Sequence, residues 1–208
     1  MKLYLSSYKL GNHTDELKKL VGKSDASVAV IDNALDFSTD LIRKAQSLEN
    51  ELNDIRSLGF NPQHIDLREY FENNTSLVDE LSKFDAVWIR GGNSFILRKA
   101  MQQSGFDRVI ETLVKPGKLV YAGYSAAVAV VAPSLRGVEL VDDIHATAKG
   151  YDNKIIWDGY GLIDFYPIVH YQSDHPESEL VEKELEHVKS MNIKYKTLRD
   201  GDVIIVCD

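Results

Sequence analysis

The chain has 208 residues, of which 44% are hydrophobic and 27% are charged, and its net charge is −8. This length suits one α/β domain, predicted to cover residues 1–208, and the apolar fraction is too high for a disordered chain. An acidic chain lacks the clustered basic face that nucleic acid or an anionic membrane requires, and no apolar run approaches the ~20 residues that span a bilayer. Because the one cysteine is Cys207, no internal disulfide can form, and a cytoplasmic location is expected.

Apolar, β-type runs recur along the chain and predict strands. They lie at Leu3–Leu5, Val28–Ile31, His64–Leu67, Ala86–Ile89, Leu119–Tyr121 and Val203–Val206. Several of these runs are continuously apolar, which is typical of strands that are buried on both faces of a parallel sheet.

Apolar residues spaced by three and four lie between these runs and predict helices. The predicted helices cover residues 39–58, 93–105 and 178–190. Gly59 suits the C-terminus of the first helix. The last helix is expected to face inward with Leu180, Val181, Leu185 and Val188. Residues 134–165 show little periodicity and are expected to hold short strands and loops.

The alternation of strand, helix and strand predicts a doubly wound, mostly parallel sheet with helices on both faces, a three-layer α/β/α fold. Sites in such sheets lie beyond the carboxyl ends of the strands. The loops that follow Ile89 and Tyr121 are therefore the places where functional residues are expected.

Two glycines follow the strand that ends at Ile89, in the segment Arg90-Gly91-Gly92-Asn93, and a helix comes next. Glycines let backbone N–H groups approach a ligand, and a helix N-terminus adds partial positive charge, so this loop suits an oxyanion hole or a phosphate cradle. The alternative is a tight turn in which Asn93 or the next serine caps the helix. Since no nucleotide-binding glycine motif is present, no nucleotide or flavin cofactor is expected.

A single serine stands between the next strand and a run of small residues. The segment Gly123-Tyr124-Ser125-Ala126-Ala127 is similar to the G-x-S-x-G nucleophile elbow, with alanine in place of the last glycine. Ser125 is therefore a candidate nucleophile. The alternative is that its hydroxyl caps the following helix.

A nucleophilic serine needs a base, and His170 is the histidine best placed to act as one. It ends an apolar run and enters a polar loop, so it should lie at the carboxyl end of a strand. His170, Asp174 and His175 could also be read as metal ligands, but their spacing matches no helical metal motif, and no metal is expected.

The sequence does not decide which carboxylate would orient the histidine. Asp142 and Asp143 follow an apolar pair in the irregular region, and they are the first candidates. The other candidates are Asp158, Asp164, Asp174, Asp200 and Asp202.

Taken together, these segments resemble the peptidase E family. The matching stretches are residues 91–95, residues 119–133 around Ser125 and residues 161–172 around His170. The resemblance implies a flavodoxin-like sheet, related in fold to class I glutamine amidotransferases, in a cytoplasmic serine peptidase. It also implies a small peptide substrate and no cofactor.

The resemblance assigns roles to particular residues. Ser125 corresponds to the nucleophile and His170 to its base. The acid varies among relatives, so the resemblance does not assign it, and Asp142 or Asp143 is placed slightly ahead of Asp202. The oxyanion hole would be formed by the backbone N–H groups of Gly92 and Ala126, and also of Gly91. Apart from the resemblance, Asn93 and Arg90 beside this loop are candidate substrate-binding residues. Two interpretations of Arg90 are open, a bidentate contact with a substrate carboxylate and an ion pair at the rim of the sheet.

Departures from the family pattern limit what is expected. Ala127 replaces the usual glycine, Arg90 stands where another glycine is frequent, and Val169 replaces the usual proline. Leu140 stands where relatives that are specific for an N-terminal aspartate have an acidic residue, so strict aspartyl dipeptidase activity is not expected.

One alternative function stays open, a non-catalytic or differently specific member of the fold that holds a small molecule or an anion at the Gly91-Gly92 loop. Assembly is a separate question, and a homodimer is compatible with the sequence. An amidotransferase is disfavoured because the elbow carries serine, whereas the cysteine lies at position 207.

Overall fold

The structure, a computed structural model, describes residues 1–71 and 76–208. Within these residues the strands are β1 (Lys2–Ser6), β2 (Ser27–Ile31), β3 (Asn61–His64), β4 (Ala86–Ile89), β5 (Val120–Tyr124), β6 (Tyr166–Ile168), β7 (Tyr195–Thr197) and β8 (Val203–Cys207). The main sheet has the order β3-β2-β4-β5-β1-β8. Its pairings are parallel except that β8 runs antiparallel to β1, and β6 pairs with β7 in a separate parallel sheet.

Helices cover both faces of the main sheet. The α-helices of the described residues are α1 (Thr14–Val21), α2 (Leu41–Ser57), α3 (Leu77–Leu81), α4 (Ser94–Gln103), α5 (Phe106–Val109), α6 (Ala126–Ala129) and α7 (Ser178–Ser190). The apolar residues of α1 and α2 form one core with the sheet, and those of α3 to α7 form a second core on the opposite face. The predicted three-layer α/β/α fold with a mostly parallel sheet is therefore confirmed.

Strand β4 shows why the central strands read as continuously apolar. All four of its residues are buried. Val87 and Ile89 belong to the core on one face, whereas Ala86 and Trp88 belong to the core on the other. Successive side chains point to opposite faces of the sheet. When helices cover both faces, every position of the strand is buried and apolar residues are favoured throughout.

The predicted helices are present with small shifts at their ends. Helix α2 begins after Asp40, whose carboxylate accepts the Arg43 N–H at 2.9 Å, and the chain leaves it through Gly59 at φ 90°. Helix α7 matches the predicted bounds, but its inward face differs, because Leu180 is 36% exposed whereas Glu184 is buried.

The structure corrects the prediction of a strand at His64–Leu67. Strand β3 lies earlier, at Asn61–His64, and Leu67 begins a short 3₁₀ turn. Since β3 is an edge strand that pairs only with β2 in the described sheet, its side chains are partly exposed. The buried Ile65 and Leu67, which gave the apolar signal, come after the strand.

None of the helices in residues 1–71 and 76–208 combines the length and the apolar character that crossing a membrane requires.

Candidate active site

Ser125 lies on a sharp turn between β5 and α6. Its backbone has φ 52° and ψ −109°, a conformation that costs free energy for a residue with a side chain and that is characteristic of functional sites. Its hydroxyl makes no capping hydrogen bond to α6. The structure therefore favours an elbow over a helix cap at this position.

Ala127 fits the elbow because Gly123 has no side chain. A Cβ atom at Gly123 would lie 2.7 Å from the Cβ of Ala127 and 2.4 Å from the carbonyl oxygen of Ile89. The Ala127 carbonyl also accepts a hydrogen bond of 2.8 Å from the Tyr121 hydroxyl. The sharp turn therefore forms with alanine at position 127, where the elbow pattern has glycine.

The glycine loop lies directly beside this elbow. Parallel pairing sets Ile89 of β4 against Gly123 of β5, so the two strands end side by side. A Cβ atom at Gly91 would lie 2.8 Å from the Cβ of Ser125. At Gly92 the backbone has φ 147°, and a Cβ atom would lie 2.6 Å from the carbonyl oxygen of Ala34. Glycine is therefore required at both positions.

His170 approaches the same edge of the molecule from β6. It follows this strand by two residues, and its backbone at φ 57° turns the chain sharply. Its side chain is 2% exposed, and its Nδ1 atom lies 2.7 Å from Oδ1 of Asp200. Since an ionised carboxylate can only accept, Nδ1 carries the proton and donates it, which leaves a lone pair on Nε2.

Asp200 is itself held by two serines. The Ser7 hydroxyl donates to Asp200 Oδ1 at 3.1 Å, and the Asp200 N–H donates to the Ser173 hydroxyl at 2.8 Å. The buried Ser7 hydroxyl also accepts the backbone N–H of His170 at 2.8 Å. Ser7 therefore fixes the histidine and its carboxylate relative to each other.

Aromatic contacts complete the surroundings of His170. Its ring stacks on that of His175, with centroids 3.8 Å apart and planes at 8°, and Tyr8 meets it edge-on at 5.8 Å. Burial lowers the pKa of His170 below its ordinary value, and the neighbouring His175 lowers it further, whereas Asp200 opposes the shift. The ring is therefore neutral at neutral pH, as a general base must be.

Ser125 and His170 open into one pocket of about 610 Å³. Its other lining residues are Tyr8, Lys9, Arg43, Ser47, Asn50, Glu51, Arg90, Gly91, Gly92, Tyr124, Asp174, His175, Pro176 and Glu177. Among the described hydrogen bonds there is none between the Ser125 hydroxyl and the His170 ring, and such contacts are frequently long before substrate binds.

The carboxylates of Asp142 and Asp143 lie elsewhere. Asp142 accepts the N–H of Ser94 at 2.8 Å at the start of α4, and Asp143 accepts that of His145 at 2.8 Å. Within the described part of the chain, neither residue lines the pocket. The structure thus places Asp200, rather than Asp142 or Asp143, against His170. Asp202, ranked behind them, accepts the Arg199 N–H.

Asn93 caps the N-terminus of α4, which was the alternative interpretation of this segment. Its side-chain oxygen accepts the N–H groups of Phe95 and Ile96, both at 3.0 Å, and its amide donates to the Asp143 carbonyl at 2.9 Å. The residue is 5% exposed. Its polar atoms are therefore engaged in the fold.

Arg90 lines the pocket but is held by α2. Its Nε atom donates to the Ser47 hydroxyl at 2.8 Å and lies 3.8 Å from the Glu51 carboxylate, and Nη1 donates to the carbonyl of Gly91. Glu51 also accepts from Trp88 Nε1 at 2.9 Å and from the Tyr124 hydroxyl at 2.6 Å. The buried carboxylate thereby ties the glycine loop to the helix beside it.

Several of these residues carry little signal in the sequence. Asp200 stands among many acidic candidates, and its partner Ser7 lies 193 residues away. Glu51 does carry a signal of burial, since it comes four residues before the buried Ile55 and so lies on the inward face of α2. The sequence around Tyr8 carries no pattern that indicates its place in the pocket.

Comparisons with known proteins identify the family of this chain. The sequence model of peptidase family S51 matches residues 5–208. A protein of Streptomyces coelicolor named Peptidase E is 30% identical over 142 residues, which cover 66% of this chain and 54% of that protein. An uncharacterized peptidase of Listeria monocytogenes is 28% identical over 129 residues, 62% of this chain and 59% of that protein. The matches thus span about half to three fifths of these relatives.

Solved structures share the fold. A crystal structure from Listeria monocytogenes EGD-e, described as a candidate Peptidase E protein, has a TM-score of 0.71 at 21% identity, over 99% of this chain and 97% of that one. A peptidase from an acI-B1 Actinobacterium has a TM-score of 0.56 at 17% identity, over 88% and 74% of the two chains. With the family match over nearly the whole sequence, this chain belongs to peptidase family S51.

Proposed function

We propose that this protein is a serine peptidase that hydrolyses short peptides through an acyl-enzyme on Ser125. The observation that carries the proposal is that Ser125 and His170 line the same pocket. Ser125 stands on an elbow at positive φ and its hydroxyl does not cap the helix, and the buried His170 is hydrogen-bonded to Asp200. Family membership supports the same chemistry.

Acylation begins when the Nε2 lone pair of His170 takes the hydroxyl proton of Ser125, whose oxygen attacks the peptide carbonyl. Asp200 accepts from Nδ1 and thereby stabilises the imidazolium that forms. His170 then gives its proton to the departing amine as the C–N bond breaks. Water, deprotonated by the same nitrogen, attacks the ester and restores the serine.

The negative charge on the carbonyl oxygen needs donors that are already in place. We propose that the N–H groups of Gly92 and Ala126, with that of Gly91, supply them. Ala126 opens α6, so its N–H has no acceptor within the helix. A donor of this kind is typically worth ~3–4 kcal/mol in the transition state.

The pocket suggests where the ends of a substrate would lie. Lys9, Arg43 and Arg90 line it together with Asp174 and Glu177, so both signs of charge are present. Because Arg90 is already bound to α2, we propose that it supports the glycine loop, while Lys9 and Arg43 face the substrate carboxylate. A short peptide carrying both termini fits this pattern.

A cytoplasmic location agrees with the acidic, cysteine-poor composition.

Peptide hydrolysis tests the proposal. The protein is incubated with a pool of dipeptides to pentapeptides of varied sequence, and the products are followed by mass spectrometry. We expect cleavage of a subset of the shortest peptides, and none by Ser125→Ala. Equal cleavage by Ser125→Ala would contradict the assignment, and binding of peptides without cleavage would favour a non-catalytic member of the family.

A further inference from the structure

Three side chains on the pocket wall could hold a metal ion. His170, His175 and Glu177 each offer a ligand atom, and these atoms lie within 4.8 Å of one another. The stacked rings bring the nitrogens of two histidines together, and Nδ1 of His175 lies 3.7 Å from a carboxylate oxygen of Glu177. Two imidazoles and one carboxylate are a common protein ligand set for zinc, with water in the fourth position.

The surroundings of the cluster favour coordination. Asp200 accepts a hydrogen bond from Nδ1–H of His170, which fixes the tautomer with a free Nε2 lone pair, and carboxylates orient metal-binding histidines in the same way. Glu177 adds one negative charge.

We propose that a zinc-class divalent ion binds at His170, His175 and Glu177 and reversibly blocks the pocket. The inhibitory effect rests on the proposed function, because the ion would occupy the nitrogen that deprotonates Ser125. Since the lone pairs of parallel rings do not converge, the ring of His175 has to turn out of the stack. Its side chain is 18% exposed and lines the pocket.

Direct titration tests the site without any catalysis. Zinc chloride is titrated into the Cys207→Ser protein by calorimetry, so that the exposed thiol cannot bind the ion. We expect one zinc per chain, binding at least tenfold weaker after His175→Ala and after Glu177→Gln, and unchanged binding after the matched surface substitution His187→Ala. Magnesium, which prefers oxygen ligands, should not bind.

Undiminished zinc binding by His175→Ala would overturn the proposal, as would the lack of binding at millimolar zinc. The inhibitory part has its own readout, since zinc should slow the reaction of Ser125 with a fluorophosphonate whereas magnesium should not. Zinc that binds through His175 but leaves this rate unchanged would refute inhibition. The Ser125→Ala protein should still bind zinc, so failure of the metal site and failure of the peptidase proposal are distinguishable.

Discussion

At the scale of single residues, the candidate site depends on side chains that are held by backbone groups and by one another. His170 is fixed at Nδ1 by Asp200, at its N–H by Ser7 and on its face by His175. Ser125 is fixed by the strained turn that it occupies. Each contact restricts a rotation before substrate arrives, and such preorganisation is what makes a weak nucleophile effective.

Exchange of Asp200 for asparagine tests the role of this carboxylate. Asparagine can present its N–H to His170 and favour the wrong tautomer, so we expect Asp200→Asn to slow the reaction of Ser125 with a fluorophosphonate by about 10²–10⁴-fold. The matched control is Asp142→Asn, whose side chain faces the N-terminus of α4. The rates are followed by intact-protein mass spectrometry. A larger loss in Asp142→Asn than in Asp200→Asn would reverse the assignment.

At the scale of elements, the site is the meeting of two parallel strands that end in register. The pairing of Ile89 with Gly123 brings the glycine loop against the elbow, and the missing Cβ atoms of Gly91 and Gly123 allow the approach. Close packing of this kind tolerates no added methyl group without movement of the backbone.

The elbow therefore predicts a larger loss of stability for Gly123→Ala than for Ala127→Gly. We expect Gly123→Ala to lower the free energy of unfolding by about 1–3 kcal/mol or more, because the new Cβ would meet both the Ile89 carbonyl and Ala127. Ala127→Gly should cost only about 1 kcal/mol, the difference in helix propensity. Chemical denaturation measures both. The double variant should remain destabilised, since the contact with Ile89 persists, and full rescue would contradict this packing.

The sequence was sufficient to predict the elements that are covered on both faces, such as β4 and β5, and the loops that follow them. It was not sufficient for β7, because a three-residue strand with exposed side chains such as Tyr195 gives no periodic signal. Nor could it select Asp200, since the contact with His170 joins segments 30 residues apart through a fold that no local pattern specifies.

At the scale of the whole molecule, two buried acids, Glu184 of α7 and Asp142 beside the start of α4, make stability depend on pH. Burial raises the pKa of Glu184 to about 8, and it raises that of Asp142 to about 6. The folded protein therefore keeps protons that the unfolded chain releases above its lower, ordinary pKa values. Stability from Glu184 is present at low pH and is lost as the pH rises from about 4.5 to about 8, and stability from Asp142 is lost between about 3.8 and about 6.

Exchange of Glu184 for glutamine should remove part of this dependence. Glutamine can still accept the Tyr166 hydrogen bond but does not titrate. We expect Glu184→Gln to gain stability over the parent protein, on the order of a few kcal/mol, as the pH rises across this range. Denaturant unfolding at several pH values measures the difference, with the exposed Glu186→Gln on the same helix as control. Parallel pH curves for Glu184→Gln and the parent would refute the assignment.

The central claim is that Ser125 is an activated nucleophile, and covalent labelling tests it most directly. The protein and its Ser125→Ala variant are treated with a fluorophosphonate, and the intact masses and the labelled peptide are determined. We predict one adduct on the parent protein, located at Ser125, and none on the variant. An adduct of equal yield on Ser125→Ala, or its location at another residue, would contradict the account.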